Sequence, residues 1–153
     1  MTRRSLTGWF VSLGASSVSW KTKKQHTVSR SSAEAVYSSM AMTTCELKWL
    51  KEILTFLGIE HVQPMHLCCN SQTALHIAQN PVFHERTKYI EVDCHFVRDE
   101  LVKGVIRTIY IPTREQLADI FTKAWGKSQF DYVLRKFITK SYLSRPIIDS
   151  PTI

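Results

Sequence analysis

Residues 31–58 read SSAEAVYSSMAMTTCELKWLKEILTFLG, from Ser31-Ser32-Ala33-Glu34 to Phe56-Leu57-Gly58. Ala33, Val36, Tyr37, Met40, Ala41, Thr44, Leu47, Leu50, Leu54 and Leu57 recur three or four apart, the spacing of one face of an α-helix. Ser31 with Glu34 three places later is a capping-box pattern, in which the serine and the carboxylate satisfy backbone N–H groups that a helix start leaves bare. Gly58 supplies a residue free to turn left-handed and end the helix. A helix this long with a single apolar stripe has to lie on another element.

The flanking sequence offers strands. Trp9, Val11 and Leu13 alternate with Phe10 and Ser12, Gly14-Ala15-Ser16 gives a turn, and Val18 and Trp20 alternate again, which predicts a hairpin. Met65 to Cys69 is a short apolar run after Pro64 and reads as a buried strand. Asn70 or Ser71 is placed to cap a short helix ending at Asn80-Pro81. Lys88 to Val102 has helical spacing and stops at Gly104; Val105, Ile106, Ile109 and Ile111 form a β-branched strand before Pro112. Glu115–Trp125 and Gln129–Ile138 predict two more helices. The order β-β-α-β-α-α-β-α-α predicts an α/β domain with a mixed sheet.

The chain has 153 residues, 44% apolar and 22% charged, which suits one domain with a real core and excludes collagen-like and disordered classes. A domain over residues 1–140 with a loosely ordered tail over 141–153 is expected. The longest uncharged run, Ser5 to Trp20, is too short and polar to span a bilayer, and no secretory leader is legible. An intracellular protein with no membrane partner follows as the expectation, with Cys45, Cys68, Cys69 and Cys94 as reduced thiols.

Charge is unevenly placed. Arg3, Arg4, Lys21, Lys23, Lys24 and Arg30 lie within residues 1–33, which hold no acidic residue, whereas the whole chain carries +7. Such a stretch suits a polyanion, because fixed cations release counterions from a phosphate backbone. An ordinary solvated basic surface accounts for the same residues.

Several segments in register resemble the ribonuclease H domain of copia-type retrotransposon Pol polyproteins. They are Arg3-Arg4-Ser5-Leu6-Thr7-Gly8, Trp20-Lys21-Thr22-Lys23-Lys24-Gln25, Ser31-Ser32-Ala33-Glu34-Ala35, Asn80-Pro81-Val82-Phe83-His84-Glu85-Arg86-Thr87-Lys88, Ile90-Glu91-Val92-Asp93-Cys94-His95-Phe96-Val97-Arg98 and Tyr110-Ile111-Pro112-Thr113-Arg114-Glu115-Gln116-Leu117-Ala118-Asp119-Ile120-Phe121-Thr122-Lys123. The resemblance implies a ribonuclease H-like fold, a mixed central sheet flanked by helices. It implies hydrolysis of RNA in RNA–DNA hybrids by two Mg²⁺ ions held on four carboxylates, with the reverse transcriptase portion of the same polyprotein as an ancestral partner.

Carried over by position, the resemblance gives the helix carboxylate to Glu34 and the late one to Asp119, with Asp93 as competitor for that place and read more simply as a solvated helix residue. The carboxylate at the end of a central strand falls on Cys69, within Cys68-Cys69-Asn70. The remaining Asp belongs to a first strand upstream of Arg3, so that strand is expected to be missing from this chain. Thiols select zinc or copper over Mg²⁺, so a dead nuclease with Mg²⁺ weakly held or lost at Glu34 and Asp119 is expected.

The alternative is a non-catalytic binder of RNA–DNA hybrid using Lys21, Lys23, Lys24 and Arg30, with Trp20 beside them and Arg86, Lys88 and Arg98 as possible additions. Adjacent Cys68-Cys69 do not match structural zinc spacing. No nucleophile motif accompanies pairing of Cys69 with His66, His76 or His95.

Overall fold

The computed structural model describes residues 4–26, 28–80 and 91–142. Its elements run β1 (Leu6–Leu13), β2 (Ser16–Lys24), α1 (Ser32–Phe56), β3 (Met65–Cys69), α2 (Gln72–Gln79), α3 (Glu91–Val102), β4 (Ile106–Tyr110), two 3₁₀ turns (Thr113–Glu115 and Leu117–Phe121) and α4 (Lys127–Tyr142). The chain is mixed α/β, and its described residues fall into two compact units, one from 29–110 and one from 1–28 with 111–153.

In the 29–110 unit β3 and β4 pair in parallel, Met65 opposite Ile106 and Cys69 opposite Tyr110. Parallel strands need a long crossover, and α2 and α3 supply it. Met65, Leu67 and Cys69 share the buried side of β3 with Ile106 on β4, while His66 and Cys68 alternate to the more open side. On α1 the expected stripe is buried at Tyr37, Met40, Ala41, Thr44 and Leu47. Burying one Met or Leu side chain contributes about 1.5–3 kcal/mol, so this stripe stabilises the unit. Thr44 avoids an unpaired hydroxyl by donating to the Met40 carbonyl at 2.8 Å. One buried carboxylate, Glu100 of α3, clasps α1 through Lys48 at 2.9 Å and is met also by Lys103 at 3.2 Å. Burial works against its charge, but the two ammonium groups outweigh it and hold Glu100 below the usual carboxylate range.

In the other unit β1 and β2 form the expected antiparallel hairpin, turning at Gly14 with φ +58°. One of its faces approaches the second 3₁₀ turn so closely that a Cβ on Gly8 would lie 2.7 Å from Thr122 Cγ2 and 3.1 Å from the Ala118 carbonyl oxygen. Thr22 adds a hydrogen bond to the Phe121 carbonyl at 3.1 Å. Phe10 and Phe137 pack with ring centroids 4.6 Å apart, which seats α4 on the same face.

Three expectations are corrected. The single mixed sheet is replaced, among the described residues, by two two-stranded sheets, one antiparallel and one parallel. Glu115–Trp125 is two 3₁₀ turns rather than a helix, because Gln116 takes an extended ψ of 98° and its side chain caps the second turn at the Ala118 N–H. The last helix continues through Ser141 and Tyr142, beyond the expected tail boundary; residues 143–153 lie outside the described set. The Asn80–Lys88 motif also lies outside it, apart from Asn80.

Candidate functional site

The carboxyl end of a parallel strand pair, where the chain turns into a helix N-terminus, is the usual location of a site in an α/β unit. Here that end carries Cys69 on β3 and Tyr110 on β4, followed by Ser71 as N-cap of α2. Cys69 is buried, and burial pushes its thiol upward from the ordinary range, partly offset by the Ser71 N–H. It is therefore a neutral thiol at physiological pH. That N–H donates to the Cys69 Sγ at 3.4 Å, the side chain to second-next N–H pattern by which Asp and Asn form Asx turns. Cysteine stands at a position whose local geometry suits a carboxylate.

Glu34 is buried in the first turn of α1. Its own N–H donates to the Ser31 hydroxyl at 3.1 Å, and its Oε2 accepts the Arg30 N–H at 2.6 Å. The capping box therefore forms with a shift, since the carboxylate satisfies Arg30 rather than Ser31. Asp93 departs from the solvated reading: it is half-buried, and its Oδ2 accepts from the Ser38 hydroxyl at 2.7 Å. Ser38 lies four residues after Glu34, on the same face of α1, so α3 brings a second carboxylate against the face that bears Glu34. A serine on a helical stripe gave no signal of that contact.

Asp119 belongs to the other unit and is buried in the second 3₁₀ turn, not at a helix start. Its carboxylate is ion-paired with Lys123, and its backbone carbonyl accepts from the Thr122 and Lys123 N–H groups and from Trp125 Nε1. The turn is thus built around Asp119, and it is Trp125, read only as a helix end, that the sequence underrated. Among the described residues no group of three or more His, Cys, Asp or Glu side chains is gathered to hold a metal ion. All four cysteines are free thiols.

The basic residues do not form one cluster. On β2, Lys21 and Lys23 lie opposite Trp9 and Thr7, whereas Lys24 lies opposite Leu6 on the face that carries Trp20 and Phe10. All three lysines are exposed, on a strand that has β1 as its single neighbour among the described residues. Lysines on such an edge also discourage further strand pairing. Arg30 lies in the other unit. Arg98 is turned inward, donating to the Ile77 and Asn80 carbonyls at 3.2 and 3.0 Å and closing the end of α2. Arg86 and Lys88 lie outside the described residues.

The sequence is 42% identical over 132 residues to a retrovirus-related Pol polyprotein from transposon RE2 of Arabidopsis thaliana, covering 86% of this chain and 9% of that protein. It is 41% identical over 126 residues to the Pol polyprotein from transposon RE1 of the same plant, covering 82% and 9%. With the Pol polyprotein from transposon TNT 1-94 of Nicotiana tabacum it shares 33% over 129 residues, covering 84% and 10%. The chain is a relative of one segment of copia-type retrotransposon Pol polyproteins. It spans about a tenth of the length of these curated Pol relatives. No family model matches the chain, and no solved structure matches it. Among the described residues no helix is long and apolar enough to cross a membrane.

Proposed function

We propose that this Pol-derived chain is a ribonuclease H-like segment that does not cleave RNA–DNA hybrids. The observation that carries the reading is Cys69: a buried neutral thiol, closing an Asx-type turn, at the end of the strand where the resemblance calls for a metal-binding carboxylate. A pair of Mg²⁺ ions needs several hard oxygen ligands at near-octahedral geometry. The residues present do not fit that need. Glu34 is engaged by the Arg30 N–H, Asp119 is paired with Lys123, and position 69 offers sulfur. Asp93, on α3, accepts from Ser38, four residues after Glu34 on α1.

The test is incubation of the purified chain with a labelled RNA–DNA hybrid in Mg²⁺ or Mn²⁺. No cleavage above buffer is expected. Cleavage that disappears in Glu34→Gln would overturn the reading.

A second reading, hybrid binding without cleavage, is favoured by exposed lysines on both faces of β2, Lys21 and Lys23 on one and Lys24 with exposed Trp20 on the other. Binding should weaken as salt rises and weaken again when the three lysines become glutamate. Salt-independent binding, or an unchanged triple variant, counts against phosphate contacts there.

A further inference from the structure

Charge divides unevenly between the two units. Residues 1–28 and 111–153 hold twelve Lys and Arg against four Asp and Glu, whereas residues 29–110 hold eight against nine. Within the basic unit Lys123 and Lys136 are ion-paired with Asp119 and Glu115. Lys21, Lys23 and Lys24 are exposed, and among the described residues no carboxylate pairs with them. These three lie on an edge strand. Residues on opposite faces of such a strand flank the same outer edge. β1 pairs along the inner edge of β2, so Lys21 and Lys23 bracket the outer edge from one side and Lys24 from the other.

Trp20 stands at the start of this row, on the Lys24 face, and is 55% exposed. Its partner across the hairpin, Phe10, is packed against Phe137. The other tryptophan of the hairpin, Trp9, is buried and its indole N–H donates to the Ser19 hydroxyl at 3.3 Å. The hairpin therefore buries one indole and leaves the other in water beside three unpaired cations.

We propose that the outer edge of β2 binds single-stranded nucleic acid, with an unpaired base stacked on Trp20 and phosphates along Lys21, Lys23 and Lys24. This rests on the phosphate contacts already proposed for these lysines and adds a base contact and a preference for one strand. An indole face stacks on any base, whatever the sequence. Inside a duplex or hybrid each base is already stacked on its neighbours, so only a strand with free bases can use Trp20. From Trp20 to Lys24 the strand rises about 13 Å at roughly 3.3 Å per residue. That is room for a few nucleotides, against about 34 Å for a turn of duplex. A second copy pairing at this edge in antiparallel fashion would set its own three lysines against these, which the charge disfavours.

The test is fluorescence anisotropy of the whole chain with three labelled probes: an oligo(dT), an abasic strand of equal length, and an RNA–DNA hybrid. Oligo(dT) should bind about tenfold more tightly than the abasic strand, the scale of one base stacked on an aromatic ring. Trp20→Ala should remove that advantage and leave the abasic affinity unchanged, while Trp20→Phe should keep most of it. Changing Lys21, Lys23 and Lys24 together to glutamate should weaken all three probes. If the lysine variant weakens binding but Trp20→Ala changes nothing, the stacking site is overturned and the phosphate contacts stand. If the lysine variant binds as the original does, both are overturned. A dimer seen by sedimentation without nucleic acid, and dispersed by Trp20→Ala, would assign the edge to pairing between copies and overturn the site.

Discussion

The Sγ of Cys69 accepts the backbone N–H of Ser71 at 3.4 Å, and two residues earlier in the same strand Leu67 is buried in the core. Cys69 thus joins a packing role to a turn-closing role. Aspartate would keep the turn bond but bring a charge into a site that already pushes a thiol upward by burial. Cys69→Asp should fold and lose about 1–3 kcal/mol at neutral pH, the range for an ill-compensated buried polar group. Its carboxyl should be raised by the same burial, so the loss should shrink as pH falls toward 5. Denaturant melts of both chains at pH 7.5 and 5 check this; a Cys69→Asp chain equal to the original at pH 7.5 contradicts the burial argument.

Glu34 shows whether a carboxylate serves the fold. It holds the Arg30 N–H while the Ser31 hydroxyl holds the Glu34 N–H. Ser31→Ala should cost about 1 kcal/mol, the usual loss for an N-cap. Glu34→Ala should cost a similar amount and Glu34→Gln less, because the amide oxygen still accepts. Equal, negligible losses in Ser31→Ala and Glu34→Ala would show that the cap contributes nothing, freeing Glu34 for another role.

Local chemistry was legible wherever a short-range rule sufficed. The Ser31 cap, the Gly14 turn, the Met65–Cys69 strand, the Ser71 cap and the stop before Pro112 all rest on residues within a few places of one another. The separation of the strands into two pairs depends on long-range pairing, which alternation does not encode. Leu117–Phe121 misled because its helical spacing is real, while its geometry is set by the Gln116 side chain and by bonds converging on the Asp119 carbonyl. Asp93 was misread because its partner, Ser38, is 55 residues away. Cys69 could be singled out only through the family resemblance; its turn bond became visible only in three dimensions.

Gly8 controls the seating of the Asp119 turn on the hairpin. An added methyl would meet both the Thr122 methyl and the Ala118 carbonyl oxygen below ordinary contact distance. Thr122 can rotate, but a backbone carbonyl cannot step aside without moving the turn. Gly8→Ala should therefore cost about 1–3 kcal/mol, the range for overpacking, and should perturb the environment of Trp125, whose Nε1 bonds the Asp119 carbonyl at 3.2 Å. Denaturant titration together with the tryptophan indole NMR signals checks it. An unshifted Trp125 signal with wild-type stability would mean that the close approach is not maintained in solution.

Stability of the chain 1–153 by itself should be low. Two-stranded sheets are marginal alone and need a third strand or helical cover, and among the described residues β1 has only β2 and β3 has only β4 as strand neighbours. α1 ends on exposed apolar side chains, with Phe56 at 90% and Leu57 at 64% of full exposure, followed by Val62 at 84%. Each strand edge leaves backbone donors and acceptors that either meet water or pair with another molecule. The helices compensate in part, through the buried α1 stripe and the Glu100 clasp. Whole domains hold only about 5–15 kcal/mol, so a few unmet groups remove much of the margin. The chain should melt below ~60 °C, the upper part of the range for ordinary domains, and aggregate as it does. An added segment that pairs with β1 or β3 should raise the midpoint. Calorimetry on the unmodified chain decides the matter: one cooperative, reversible transition above ~60 °C would show that two strand pairs and their helices suffice.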